Sequence, residues 1–304
     1  MTVLVKVVPD SESEPASTSM DLIGARLDDV QDWAELRRAG ASLIVVDRET
    51  EESVGIDEHE PILTASLAKL FIASQLAFLE ATGVRPVAPE DDMLLGQMLS
   101  ASEDVAATIL WDQMGGPAVV GAVAERFGLG ATAPSEDGPW WHTRTTASDV
   151  ATLYDRLLDD LDAAHSVPVG IVAPGPSWAE RILGHLHNWT DVGADGYDQR
   201  FGLVGVFERD DLVAVKQGWM CCVGPQWIHL TTGVLGPAGR YIVVVQVAED
   251  VQYSDGRPDL PQTSEGIDLA DESAAHARDT VTGLVATLFR DGVPEGGSCR
   301  RGLI

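Results

Sequence analysis

Five strand-like runs stand at opposite ends of this chain, with a long helix-rich stretch between them. ASLIVVDRET (41–50) and ESVGIDEHEP (52–61) come early, joined by a polar turn around Glu49 to Glu52. DLVAVKQGWMCC (211–222), QWIHLTTGVLG (226–236) and RYIVVVQVAED (240–250) follow only near the end, with turn signals between them. With strands at both ends of one unit and helices between, the early pair is expected to join the late three in one sheet, which ties the two ends of the chain together.

Between the strands the apolar residues recur at helical spacing. Helices are expected over 66–82, 91–99, 103–114 (stopped by Gly115-Gly116) and 146–161. Outside the strands, 21–40 reads as one helix with Gly40 as its stop, and 272–289 as a closing amphipathic helix. The layout is α/β of the α+β type. Residues 1–20, polar and rich in Ser and Pro over 8–19, read as a flexible lead-in, and 21–304 as a single domain.

Charge excludes two classes of partner. The 304 residues carry 48 Asp plus Glu against 20 Lys plus Arg, a formal charge of −28. Such a surface repels phosphate backbones and anionic headgroups, so neither nucleic acid nor a membrane surface is expected as a partner. The first ten residues lack a basic segment ahead of a longer apolar stretch, and no run reaches the roughly 18 apolar residues of a membrane span. The chain as given reads as cytoplasmic, or as extracytoplasmic if its start is processed or truncated.

Three cysteines, Cys221, Cys222 and Cys299, are too few for a disulfide framework. Adjacent cysteines on a strand point to opposite faces, so Cys221 and Cys222 read as packing residues. His185 and His187 have a metal-like spacing, but a helical context parts their rings and no third ligand is near in sequence. Gly128 and Gly130 precede no phosphate-loop lysine. No metal or cofactor is expected.

The chemistry concentrates on four segments. Ser66 and Lys69 open an apolar helix straight after an extended stretch, and residues three apart share a helix face, so the amine can reach the hydroxyl. A serine at a helix N-terminus also meets free N–H groups and the positive end of the dipole. Downstream lie Ser102-Glu103-Asp104, followed by the pair Ala106-Ala107, then RTTASDVATLY (144–154), and Lys216-Gln217-Gly218 on a strand.

In this order and context the four segments resemble the motifs of the serine β-lactamase and DD-peptidase (penicillin-binding protein) superfamily, most closely the class A layout. The resemblance runs from about Ala41 to the C-terminal helix. It implies a mostly antiparallel five-stranded sheet flanked by N- and C-terminal helices, with a helical lobe over about 66–200. It also implies acyl transfer: Ser66 as nucleophile, Lys69 as base, Ser102 as proton relay and Lys216 as the cation drawing in a substrate carboxylate. Asp104, Gln217, Gly218 and Trp219 would contact substrate, with the N–H groups of Ser66 and Trp219 forming the oxyanion hole. The partner would be a small-molecule or peptide acyl substrate; the oligomeric state is left open.

The departures are specific. Asp104 replaces the family's asparagine and, as a carboxylate, is expected to hold Lys69 protonated. Gln217 replaces a threonine. The stretch ATAPSEDGPWWHTRTT (131–146) has Glu136 and Asp137 as its only acids, without the family's Glu-x-x-x-Asn pattern, so efficient β-lactam hydrolysis is not expected. Trp140-Trp141-His142 can either line the site mouth or cap the core. The first functional reading is a serine hydrolase or acyltransferase acting on an amide or ester. The alternative is a non-catalytic ligand-binding protein that keeps the fold.

Overall fold

A computed structural model describes residues 18–135, 138–165, 177–261 and 271–293, and every structural statement below concerns those residues. Thr18 caps the first described helix. Its hydroxyl accepts from the Asp21 N–H at 3.1 Å, and the Asp21 carboxylate accepts from the Thr18 N–H at 2.9 Å, a reciprocal cap on helix α1 (Ser19–Gly24). Met20, within that helix, is buried. The single helix expected over 21–40 is two, α1 and α2 (Leu27–Leu36), parted at Ala25-Arg26. Arg26 turns inward there to donate to the Leu288 carbonyl at 2.7 Å. Gly40 is not the stop. Arg38, at φ 57°, turns the chain, and Gly40 lies inside strand β1 (Ala39–Asp47), paired with the last strand.

Strand β2 (Glu52–Ile56) returns along β1, and a short strand β3 (Ile62–Leu63) leads into the helical lobe. The lobe holds α3 (Ala68–Ala81), α4 (Pro89–Ser100), α5 (Asp104–Gln113) and α6 (Ala118–Phe127). It continues through β4 (Arg144–Thr145), α7 (Ala147–His165) and α8 (Trp178–His187). After α9 (Leu203–Val206) come β5 (Leu212–Val223), β6 (Gln226–Leu235), β7 (Tyr241–Asp250) and the closing helix α10 (Glu272–Leu288). The five-stranded sheet runs β2-β1-β7-β6-β5, antiparallel throughout, with first and late strands side by side at its centre.

Alternation along β7 shows why both ends are needed. Ile242 and Val244 enter the core shared with the lobe, where Phe71, Leu153 and Leu157 meet them. Val243, Val245 and Val247 enter the other core with Val30, Val281 and Leu284 of the terminal helices. A strand buried on both faces reads as a continuous apolar run, as IVVV does. Helix α3 is buried around its whole circumference from Ala68 to Leu76, where the lobe closes over it, Lys69, Ser74 and Gln75 included.

Helix α6 has no counterpart in the sequence reading, and α8 carries the helical context read at His185 and His187 back to Trp178. Gly128 at φ 71° ends α6, and Ser177 with Glu180 forms a capping box at the start of α8. The two-residue ribbon β3–β4, with the Thr64 N–H donating to the Thr143 carbonyl at 2.9 Å, clamps the chain just before Ser66.

Candidate active site

Ser66 lies in a 3-10 turn, Ala65–Leu67, and α3 proper starts at Ala68. Ala65 takes φ 44°, a left-handed conformation that costs a β-carbon residue energy and sits where backbone strain tends to serve function. One turn on, the Lys69 amine is 2.7 Å from Ser66 Oγ. Ser102, in the α4–α5 connection at φ 57°, offers its carbonyl to Lys69 at 2.8 Å and its hydroxyl at 3.1 Å. Lys216, on the edge strand β5, donates to the same Ser102 hydroxyl at 2.9 Å and to the Gln217 carbonyl at 2.8 Å. Ser102 thus bridges two amines, and all four side chains are buried.

Asp104, the first residue of α5, places a carboxylate oxygen 2.5 Å from Lys69. Its upward pull on the Lys69 pKa is there as expected, but a larger effect opposes it. Burial of Lys69 dominates and lowers its pKa, against the upward pull of Asp104 and the smaller pulls of Asp195 and Glu103. The Asp104 side chain is 65% exposed while that of Lys69 is fully buried, so water screens the carboxylate more than the amine. Lys216 is pushed well below its usual range, first by burial and then by the neighbouring Lys69 charge.

The Ser102 carbonyl and the Asp104 carboxylate can only accept, so Lys69 donates to both, and its amine also stands within hydrogen-bond distance of the Ser66 and Ser102 hydroxyls. Lys69 Nζ also lies 4.7 Å from the Trp140 ring centroid.

Gln217 does not reach this site. Its side chain points to the opposite face of the sheet, donating to the Gln199 and Phe201 carbonyls at 3.1 and 2.6 Å. The cause is the strand pleat: Lys216 faces the nucleophile turn, so its neighbour must face away. Gly218 serves by lacking a side chain, since a β-carbon there would stand 3.1 Å from the Thr64 carbonyl oxygen and 3.2 Å from Leu230 Cδ1. Gly218→Ala is expected to push β5 off the Ser66 turn and cost about 1–3 kcal/mol of stability, read by urea unfolding. An unchanged midpoint would show that the contact yields freely.

A cavity of about 310 Å³ opens over Ser66. Trp140, Trp141, His142 and Trp219 line it, so the loop tryptophans border the site while Trp140 is also buried in the lobe core. Trp219 stacks on Tyr197 at 4.8 Å and donates its indole N–H to Asp195 at 3.1 Å. Asp195, Met220, Cys221 and Cys222 complete the wall and were not foreseen in that role. Cys221 and Cys222 are joined by a disulfide, which corrects the expectation that they point apart as separate packing residues. A register shift between Met220 and Val223 breaks the strand alternation at this point.

Glu136 and Asp137 lie outside the described residues. Among the described residues no group of three His, Cys, Asp or Glu side chains is placed to hold a metal ion. The His187 ring meets the Leu212 carbonyl at 3.0 Å, and the His185 ring lies against Gly96.

The whole architecture is that of the class A β-lactamases. A β-lactamase from Xanthomonas campestris superposes with a TM-score of 0.63 at 16% identity, over 90% of this chain and 98% of that one. The class A β-lactamase from Mycobacterium abscessus gives 0.56 at 14% identity, over 88% and 98%. No family model matches the chain. In sequence it is 38% identical over 292 residues to the protein named "Putative lipoprotein LppW" of Mycobacterium tuberculosis strain H37Rv, covering 95% of this chain and 82% of that protein. The same figures hold for its namesake in Mycobacterium bovis. The chain belongs to the LppW family.

Proposed function

We propose that this protein is a serine acyl-transfer enzyme that opens an ester or amide through an acyl-Ser66 intermediate. One observation carries the reading: a buried amine with a lowered pKa stands 2.7 Å from a hydroxyl at the floor of a cavity. In the proposed first step the Ser66 proton passes to Lys69 as Oγ bonds to the substrate carbonyl carbon. The N–H groups of Ser66 and Trp219 receive the developing oxyanion. Ser102 then hands its proton to the leaving oxygen or nitrogen and is replenished from the adjoining lysine amines. Water releases the acyl group, restoring the Ser66 hydroxyl, and the acid-poor 131–146 loop argues that this second half is slow towards β-lactams.

The test is intact-mass spectrometry after incubation with a fluorescent penicillin and activated esters. One acyl group per chain is expected, absent in Ser66→Ala. No adduct from any donor on folded protein would remove the reading. The Lys69–Asp104 ion pair favours a second one, a binding protein without turnover. It predicts ligand-induced thermal stabilisation that Ser66→Ala leaves unchanged.

We also place the protein outside the cytoplasm. The lipoprotein name of its relatives and the Cys221–Cys222 disulfide both favour an oxidising compartment. Among the described residues no helix is long and apolar enough to cross a membrane.

A further inference from the structure

The cavity over Ser66 carries a charge opposite to what a carboxylate-bearing substrate needs. Among the described residues, no lysine or arginine lines it. Lys216, the cation expected to attract a carboxylate, is 1% exposed, and its amine is engaged by the Ser102 hydroxyl and the Gln217 carbonyl. Gln217, expected to share that task, faces the far side of the sheet. What lines the cavity instead is the exposed carboxylate of Asp104 and that of Asp195, with His142 the one other titratable side chain among them.

The remaining wall is apolar and aromatic. Trp141, Trp219, Met220 and the Cys221–Cys222 disulfide form it. The Trp219 indole is held between Tyr197 and the Asp195 carboxylate, so the aromatic surface and the negative charge are built as one unit. The Asp195 carboxylate is held as well by the Tyr197 N–H at 2.9 Å. An anion carried into this cavity meets the Asp195 carboxylate, the Asp104 carboxylate whose one oxygen is paired with buried Lys69 while the side chain stays 65% exposed, and, at longer range, a chain with a formal charge of −28. A cation meets the same carboxylates attractively, and indole faces add to the attraction.

From this we infer that the site selects acyl donors that carry a positive charge on an apolar chain, and rejects those that carry a carboxylate. The inference rests on the acyl-transfer reading for the word donor, but its charge preference can be measured without any reaction. Three anilides of one six-carbon acyl chain serve, ending in trimethylammonium, methyl or carboxylate. Their binding to the Ser66→Ala protein is followed by isothermal titration calorimetry at low and high salt.

At low salt the cationic anilide is expected to bind roughly tenfold more tightly than the carboxylate, with the gap narrowing as salt rises. Asp195→Asn is expected to weaken the cationic ligand about three- to tenfold while leaving the methyl ligand within about twofold. Equal or tighter binding of the carboxylate, a ranking unmoved by Asp195→Asn, or no binding by any of the three each overturns the inference. The 4-nitrophenyl esters of the same three acids, tested on the unmodified protein, separate the two readings. A full binding ranking with no acylation removes acyl transfer and leaves the charge preference standing. Acylation with the carboxylate ester fastest does the reverse.

Discussion

Lys69→Met is expected to slow acylation of Ser66 by roughly 100- to 10,000-fold, the usual contribution of a positioned general base. The amine is the group that stands 2.7 Å from Ser66 Oγ, and it also donates to the Ser102 carbonyl and Asp104. Methionine matches the length of the side chain without the nitrogen, and Asp104 keeps its water, so no unpaired charge is buried. The variant should therefore fold, which thermal unfolding checks alongside the rate.

The pH dependence separates a base from a structural lysine. Burial lowers the Lys69 pKa from 10.5 and Asp104 opposes that shift. Acylation should rise with pH as Lys69 loses its proton, and level off above its lowered pKa. Asp104→Asn removes the opposing charge, so the rising limb should move to lower pH. A limb that stays in place in Asp104→Asn, or Lys69→Met acylating within about threefold of the unmodified protein, would sink the assignment.

The second large effect is on stability. His229, on β6, is fully enclosed and lies 2.7 Å from the Tyr197 hydroxyl, directly beneath the aromatic wall of the cavity. Burial, aided by the charge of Arg278, lowers its pKa from 6.5 to about 3. The folded protein thus keeps this ring neutral where the unfolded chain protonates it. Below pH 6.5 the unfolded state binds more protons, so stability falls as pH drops towards 3. The loss amounts to about 2 kcal/mol by pH 5 and up to roughly 5 kcal/mol at the lower end.

Glu249 works against this, because burial raises its carboxyl and the folded state binds the proton more readily. The informative quantity is therefore the difference between unmodified protein and His229→Gln. Urea unfolding at pH 7 and pH 5 should show a shallower loss in the variant. Equal losses in both would mean that His229 is not the titrating group.

How much of this was legible in the chain depends on the range of the interactions involved. Four of the five strands were, because IVVVQV and its counterparts are too apolar and β-branched to rest anywhere but inside a sheet; ESVGI, exposed at Glu52 and Ser53, was legible by the polar turn that joins it to its neighbour. The pairing of early with late strands followed from the layout, with strands at both ends of one unit. Ser66 and Lys69 were legible because their contact is local: an offset of three residues in a helical turn brings the two together whatever surrounds them. Ser102 and Lys216 were legible only through the resemblance of the motifs, since nothing in their own spacing joins positions so far apart.

Other features needed the third dimension. Gly40 looked like a helix stop, but pairing of Ala39 with Glu249 drew it into β1 and left the turn to Arg38. The outward turn of Gln217 depended on the phase of the strand pleat, and the union of Cys221 with Cys222 on a break in strand register. Asp195 carries no signal in the sequence; it meets the cavity because Trp219, from another segment, donates to it.

The chain by itself thus determined the sheet strands, most of the helices and the Ser66–Lys69 pair, because those rest on local periodicity and on burial of apolar side chains. The charge and lining of the cavity were decided only on folding. They depend on which side chains converge from distant segments, and on how deeply each charge is withdrawn from water. Burial sets the direction in which the Lys69 pKa moves, and no reading of its neighbours along the chain measures burial.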